Sequence, residues 1–349
     1  MKTWQKIRNN PQLLKKYLIR EEVVDIIRIF FKKQGFHEVF TPILVPVPSI
    51  EPNLEVFDTE LITGNNISRR GFLIMSPEYA IKKLLAAGIG SCFEITKAFR
   101  NKEEISNFHN PEFTILEWYR VGADYKKVME DFENLFREII SETRQQANIS
   151  SFRYQGEIYD LTLHWPRISV KDAFNKFCGI DTKTLLNTKK LIRKALEKGY
   201  ETSDKTTWEQ VFYQIFFNEI EPKLKASYKP AFIYDYPLAQ AALAQRCKDD
   251  FRFAERFEVF LAGLELGNCF SELTDAKEQE ERFNNDLAER KRLRKTKYPI
   301  DSELIEALKA GMPKVSGIAV GVDRLVMLAA DLPTISETLF FPAKELFDL

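Results

Sequence analysis

Three stretches of the chain collect residue types that act on charged or phosphorylated small molecules. The first runs from Phe99 to Phe113. Arg100, where a strand gives way to a polar loop of about ten residues, offers a guanidinium that grips phosphate or carboxylate with two parallel bonds. Phe113, on the returning strand, offers a ring for a nucleobase, a stack worth roughly 1–3 kcal/mol. The plainer reading is a solvated hairpin with a charged tip. The second stretch, Glu255 to Glu272, holds Glu258 and Glu265 seven residues apart. One strand would put them on opposite faces, since side chains alternate. A two-residue turn at Ala262 and Gly263 changes that: Leu261 then faces Leu264, Phe260 faces Glu265 and Glu258 faces Gly267, leaving Glu258 and Glu265 as diagonal neighbours on one face. Adjacent carboxylates repel unless a cation joins them, and Mg²⁺ carried in by a polyphosphate takes one or two carboxylates in this way. Two solvated surface glutamates are the alternative. Glu272 falls off this parity, which calls for a bulge near Gly267 or the strand end and leaves it for a different ligand. The third stretch is a small-residue strand from Ser316 that enters a helix with Asp323 and Arg324 in its first turn. Its glycines admit a ligand close to the backbone, and the helix start favours anions.

No G-x-x-x-x-G-K-[ST], G-x-G-x-x-G or G-x-S-x-G is present. A nucleotide must therefore be held by side chains and not by a glycine cradle.

Several elements must position these groups. Apolar residues at helical spacing from Leu13 to Gln34 predict a helix, with Gly35 as its left-handed stop. The run from Phe36 to Pro46 reads as a strand broken by prolines, at an edge or an interface. Strands follow at Gly71–Met75 and at Cys92–Phe99, with a short helix over Pro77–Ala87 between them and another strand over Glu112–Tyr119. Helices are expected near Tyr125–Gln145 and Val170–Phe177, and the Lys-, Glu- and Thr-rich segment at about 182–227 reads as a helical insertion. Strands resume at Ala231–Tyr236 and Ala254–Phe270, before a charged helix over Asp275–Arg294. Strands joined by hairpins with helices between them predict an α+β fold on an antiparallel sheet.

Composition narrows the function. Lys+Arg and Asp+Glu both number 51, so the formal net charge is zero and no basic field favours a nucleic-acid backbone. Hydrophobic residues at 44% and 28 phenylalanines point to a substantial packed core. Cys92, Cys178, Cys247 and Cys269 lack paired C-x-x-C spacing and the three histidines are scattered, which argues against a zinc ribbon, an H-E-x-x-H site or a disulfide scaffold. Free thiols in a cytoplasmic protein are the expectation, with no membrane span and no signal segment.

In their order and spacing these pieces resemble the three signature motifs of class II aminoacyl-tRNA synthetases. Phe31–Pro42 is similar to the first, with Pro42 in the dimer-forming strand, Arg100–Tyr119 to the second and Gly317–Leu328 to the third. The runs His109–Tyr119 and Glu265–Asp275 resemble lysyl-tRNA synthetases, and the likeness extends from about Leu13 onward. Pro237–Gln245, Glu117–Arg120, Ala310–Pro313 and Ser316–Gly321 resemble a truncated paralogous family, the elongation factor P lysine ligases. The resemblance implies one catalytic domain over residues 1–349, an antiparallel sheet flanked by helices, the insertion at about 182–227, no anticodon-binding domain, and a cytoplasmic homodimer. It implies activation of (R)-β-lysine, or lysine, with ATP and Mg²⁺, and transfer to a lysine ε-amine of elongation factor P. A tRNA acceptor fits less well with zero net charge.

The resemblance also assigns roles by position. Arg100 and Arg324 would hold the α- and γ-phosphates as the catalytic pair. Phe113 would stack on adenine with Asn110 beside it, and Asn101, Glu103, Glu265, Leu266 and Gly321 would complete the ATP site. Glu258 and Glu265 would bind Mg²⁺. Ser76, Pro77 and Glu78 would receive the substrate's backbone-side amine, Glu272 and Tyr119 its ε-ammonium, and Asn268 and Ala319 would line the same pocket. The chain departs from the family's pattern at three of these places. Lys102 stands where the second motif has Glu, in a loop one residue longer than usual, so Glu103 is expected to take that role through a small bulge. Cys269 replaces a usual Gly, either trimming the pocket or packing. Ala319 also replaces Gly, and a methyl-scale change is worth roughly 1–3 kcal/mol of discrimination, so it is expected to bias the site towards the β-isomer. The basic run Lys291–Lys297 either docks an acidic acceptor or is a solvated helix end. Two rival readings are a minimal synthetase that charges tRNA and a non-catalytic paralogue that senses amino acid or ATP. Arg100, Glu258, Glu265 and Arg324, all present, disfavour the sensor.

Overall fold

In the computed structural model, which describes residues 2–146 and 149–349, the apolar stripe near the N-terminus forms a helix over Leu14–Lys33. Gly35 ends it at φ +79°, with its N–H on the Lys32 carbonyl and that of Phe36 on Phe31, the paired bonds of a Schellman stop. Its buried face is Val23, Ile27, Phe30 and Phe31. Phe31 meets the rings of Phe36, Phe93 and Trp118 at centroid distances of 5.0–5.1 Å. Phe93 and Trp118 come from strands, so this contact fixes a helix on a sheet.

The main strands in chain order are β1 (His37–Glu38), β2 (Cys92–Phe99), β3 (Glu112–Val121), β4 (Arg167–Ser169), β5 (Ala231–Pro237), β6 (Phe253–Leu261), β7 (Leu264–Ser271) and β8 (Val315–Gly321). They fall into two compact units, one of residues 1–148 with 272–349 and the other of residues 149–271. Neither boundary is rich in Pro, Gly or Ser, so composition marks no break there. The fold is α+β. In the first unit the strand order is β1-β2-β3-β8, antiparallel except for β1 beside β2. In the second it is β7-β6-β5-β4, antiparallel except for β4 beside β5. The antiparallel expectation holds for most of the pairings, and the two parallel ones are both made by strands of two or three residues that periodicity does not resolve.

Period-two alternation gives the first unit's sheet two unlike faces. Phe93, Leu116, Trp118 and Ile318 share the face that carries the aromatic packing, with helix Tyr125–Thr143 adding buried Val128, Phe132 and Phe136 to the same unit. The other face carries Cys92, Glu94, Glu117, Tyr119, Gly317 and Ala319 in adjacent register. Around it lies helix Glu78–Ala86, the short helix of the sequence reading.

The second unit packs Val170, Phe174, Phe212, Ile215, Phe216 and Phe260 into its own core. Within residues 182–227 lie helices Thr182–Leu185, Thr188–Glu197, Trp208–Ile215 and Glu221–Lys225, with Phe216–Ile220 a π-helical turn between the last two. The β6–β7 turn is Ala262 and Gly263, both at positive φ (+58° and +79°), the left-handed pair that a tight hairpin requires. No helix among the described residues is long and apolar enough to cross a membrane.

Candidate active site

The polar sheet face of the first unit is the floor of a buried acidic pocket. Ser76 and Pro77 lead into helix Glu78–Ala86, which puts Glu78 in its first turn. Ser76 Oγ donates to Glu117 Oε1 at 2.6 Å and accepts the Glu78 N–H at 3.0 Å. Tyr119, two residues along β3 and on the same face, donates its hydroxyl to Glu117 Oε2 at 2.9 Å. Lys82, one turn beyond Glu78, places Nζ 2.6 Å from Glu78 Oε1 and 2.7 Å from Glu272 Oε2. Glu272 follows β7 in the chain and is tied to β8 by its own N–H on the Val315 carbonyl. Gly317 supplies the clearance: a Cβ there would lie 2.2 Å from Tyr119 Cε1 and 2.7 Å from Glu272 Oε1, so only glycine fits. The structure thus brings Ser76, Pro77, Glu78, Tyr119 and Glu272 together, with Ala319 opposite Glu117 in register.

Burial and crowding set the protonation of this pocket. Burial, and then the Glu78 charge, push the Glu117 carboxyl up to about 8, against the pull of the Ser76 and Tyr119 hydrogen bonds. Burial also lifts Glu272 to about 8, with Lys82 opposing and Glu78 adding. Burial works against the Lys82 ammonium, but Glu272 and Glu78 outweigh it and hold its pKa above the ordinary lysine value. The Tyr119 phenol is held well above its usual range by burial and by Glu117. An acidic pocket with one resident cation suits a ligand that brings positive charge.

The hairpin β2–β3 carries the second group. Phe99 pairs with Glu112 and Ala98 with Phe113. Arg100 lies with its guanidinium 5.0 Å from the centre of the Phe113 ring and 3.7 Å from Glu103 Oε1. Its Nε is buried with no hydrogen-bond partner among the described residues, as expected of a guanidinium that awaits an anion. Lys102 takes φ +56° and its side chain is 75% exposed, so the additional loop residue turns outward while Glu103 turns towards Arg100. Asn101 is anchored to the preceding loop, its N–H on the Glu55 carbonyl. Arg324, in the first turn of helix Val322–Ala329, reaches His109 Nε2 at 3.0 Å. Burial and the Arg324 charge hold His109 below the ordinary histidine value, so a neutral ring accepts from the guanidinium. Gly321 ends β8 just before that helix. Asn110 uses both ends of its carboxamide within the fold, donating to the Glu112 carbonyl and accepting the Ala343 N–H.

In the second unit the hairpin departs from simple pairing. Leu261 faces Leu264 and Phe260 faces Glu265, as expected, but Val259 faces Gly267 and Glu258 faces Asn268. The expected Glu258–Gly267 pairing is corrected by one residue, because Leu266 is the extra residue of a bulge. That bulge lies beside Gly267, where the parity of Glu272 calls for one. Glu258 is buried, accepts the Tyr236 hydroxyl at 2.7 Å and pairs with Arg256. The Arg256 guanidinium lies over the Tyr236 ring at 4.4 Å and its Nε reaches Asn268 Oδ1 at 3.1 Å. Glu265 is exposed. Cys269 is fully buried opposite Phe257, a packing position. Glu258 and Glu265 offer oxygen donors only, the set that suits Mg²⁺, and each Glu258 oxygen keeps a lone pair beyond its present bond. Among the described residues no group of three or more His, Cys, Asp or Glu gathers as a metal site.

Lys82, Glu117, Arg256 and Gly317 escaped role assignment, although spacing marks each one. Lys82 is four residues from Glu78 on a helix, Glu117 two from Tyr119 on a strand, Arg256 two from Glu258, and Gly317 pairs with Tyr119. A comparison with protein families matches residues 2–345 to the model described as tRNA synthetases class II (D, K and N).

Proposed function

Because the chain belongs to the class II tRNA synthetase family of the D, K and N type, we propose that it joins lysine or (R)-β-lysine to AMP and passes the aminoacyl group to a lysine ε-amine of elongation factor P. The family supports ATP-dependent amino-acid activation by a ligase. The observation that supports a diamino substrate is the buried pocket of Glu78, Glu117 and Glu272, where Lys82 is the one cation paired with these acids among the described residues. Such a pocket rewards a ligand with two ammonium groups and penalises one with a neutral side chain.

In the first step the substrate carboxylate attacks the α-phosphorus of ATP, the bond to the β-phosphate oxygen breaks, and pyrophosphate leaves with the electron pair. Arg100, with its unpartnered Nε beside Phe113, is the group for the α-phosphate, and Arg324 is the group for the γ-phosphate. Glu103 steadies Arg100, and His109 steadies Arg324. Glu258 and Glu265 would hold Mg²⁺, which neutralises phosphate charge when bound. In the second step the acceptor amine attacks the mixed-anhydride carbonyl, the acyl–phosphate bond breaks, AMP leaves, and the amine proton passes to solvent. Placement and charge stabilisation account for catalysis without a protein nucleophile. The likeness of Pro237–Gln245 to elongation factor P ligases and a formal net charge of zero support a protein acceptor. A second copy of the chain is proposed to cover the exposed Phe40, Ile43 and Leu44 near the first motif.

Two assays test this. Pyrophosphate exchange should depend on lysine or β-lysine, and its absence with every lysine isomer removes the enzymatic reading. Radiolabelled lysine isomers offered in parallel to tRNA and to elongation factor P should label the protein. Label on tRNA alone overturns the choice of acceptor.

A further inference from the structure

We infer that Lys82 is a resident cation of the amino-acid pocket, a positioning residue that holds Glu78 and Glu272 by one oxygen each and stays in place when a doubly positive ligand enters. The inference rests on the diamino-acid reading of the pocket. Its geometry stands independently.

Lys82 is 2% exposed and its Nζ lies within 2.7 Å of both carboxylates. Helix Glu78–Ala86 fixes the first contact, since residues four apart lie one above the other and Glu preceding Lys is the favourable order. The second contact joins that helix to Glu272, beside β8, whose place is set by its backbone bond to Val315. The two carboxylates that family resemblance gives to opposite ends of a substrate are therefore drawn to a single ammonium. Without it neither acid has a cation among the described residues, and any charge that either carries is buried and unpaired, which is costly. With it, each carboxylate keeps one oxygen outside the bridge, Glu78 Oε2 and Glu272 Oε1, and the Glu272 carboxyl is steadied further by the Gly317 backbone N–H.

The charges around Lys82 can be counted element by element. Glu78 shares its helix; Glu117 and Tyr119 come from β3; Glu272 precedes the segment to β8. Glu94, opposite Glu117 on β2, is taken up by the Thr41 N–H and is pushed upward by burial. Three acids, Glu78, Glu117 and Glu272, against Lys82's single charge thus leave the pocket two positive charges short of neutrality. Protons on Glu117 and Glu272 fill that gap at neutral pH, and two ammonium groups of one ligand displace them. A neutral residue at position 82 leaves three acids for two ammonium groups, with neither Glu78 nor Glu272 held in place.

Lys82→Ala creates a hole of alkylammonium shape, and methylammonium is the probe. Methylammonium chloride, compared with sodium chloride at equal ionic strength, should raise the melting temperature of Lys82→Ala by several degrees and leave the parent unmoved. It should also lower the variant's KM for L-lysine in pyrophosphate exchange at least fivefold, with kcat changing less. Equal effects of the two salts on the variant overturn the inference. Should Lys82→Ala fail to fold in either salt, Lys82→Met at pH 5.5, where the acids take protons, is the second variant. Its KM for L-lysine should exceed the parent's at least tenfold, and an unchanged KM overturns the inference. A parent that shows no lysine-dependent exchange removes the proposed substrate instead, and the methylammonium melting shift still decides the role of Lys82.

Discussion

Glu117→Gln isolates the cost of keeping an acid on the floor of the pocket. Glu117 is 1% exposed, takes hydrogen bonds from Ser76 and Tyr119, and holds its proton up to about pH 8 against 4.5 for an ordinary glutamate. A carboxyl whose folded pKa lies above its unfolded value keeps a proton that the unfolded chain has released. Stability therefore falls as pH rises from about 4.5 to about 8 and levels off above that. At about 1.4 kcal/mol per pH unit the full loss is roughly 5 kcal/mol. Glutamine imitates the protonated form: its oxygen accepts from Tyr119 and its amide donates to Ser76 Oγ. It cannot titrate. The free energy of unfolding, from denaturant titrations at pH 5, 6, 7 and 8, should match the parent's near pH 5. It should then exceed the parent's by an amount that grows about 1.4 kcal/mol per unit towards pH 8. Parallel curves for variant and parent across that range would refute the reasoning, because they would mean that Lys82 and the hydrogen bonds already stabilise an ionised Glu117.

Gly317→Ala forces a methyl group within 2.2 Å of the Tyr119 ring; the ring must swing away from Glu117, and lysine-dependent pyrophosphate exchange should fall at least tenfold, whereas unaltered exchange would show that the ring's place is irrelevant. Arg256→Met leaves buried Glu258 without its cation, a loss of about 3–5 kcal/mol that a melting curve at pH 7 should show as a marked drop, and a parental melting temperature would contradict the pairing. Ala319→Gly, opposite Glu117 in register, should shift relative exchange rates from β-lysine towards L-lysine, and unchanged relative rates would remove Ala319 from isomer selection.

The sequence made the elements around the site legible wherever one physical rule dominated. The Leu14–Lys33 helix with its Gly35 stop follows from helical periodicity and a left-handed glycine, and the Ala262–Gly263 turn follows from tight-turn chemistry. Strand Phe57–Ile62, the hairpin 151–160, strand Arg167–Ser169 and helix Ser302–Gly311 went unread, whereas the strand expected at Gly71–Met75 overlaps Ser68–Leu73, the strand that pairs with Phe57–Ile62. The unread strands are short or exposed, so apolar alternation is weak. The bulge at Leu266 was legible only through the parity of Glu272, and its effect on the partner of Glu258 is a matter of register that parity alone does not set. In the pocket, the acids drew attention and their partners did not. Lys82 looks like an ordinary solvated lysine until helix and sheet close over it, because burial is a tertiary property that spacing alone does not carry.

The two units treat buried acids in opposite ways, and the contrast indicates where binding energy is available. Glu258 has one cation, Arg256, and one phenol, Tyr236, so its charge is matched within the fold and its remaining lone pairs add only a local ligand contact. Glu272 shares its lysine with Glu78, Glu117 has only the Ser76 and Tyr119 hydroxyls, and both acids hold protons instead. Displacing those protons with ligand ammonium groups exchanges a desolvated neutral acid for an ion pair already shaped by Lys82, Ser76 and Gly317. The gain grows with pH as the protons become easier to remove, until the ligand's own amines begin to deprotonate. Affinity for a diamino acid should therefore rise from pH 6 towards pH 8. A ligand with one ammonium group displaces one proton and should show about half that slope on a logarithmic scale.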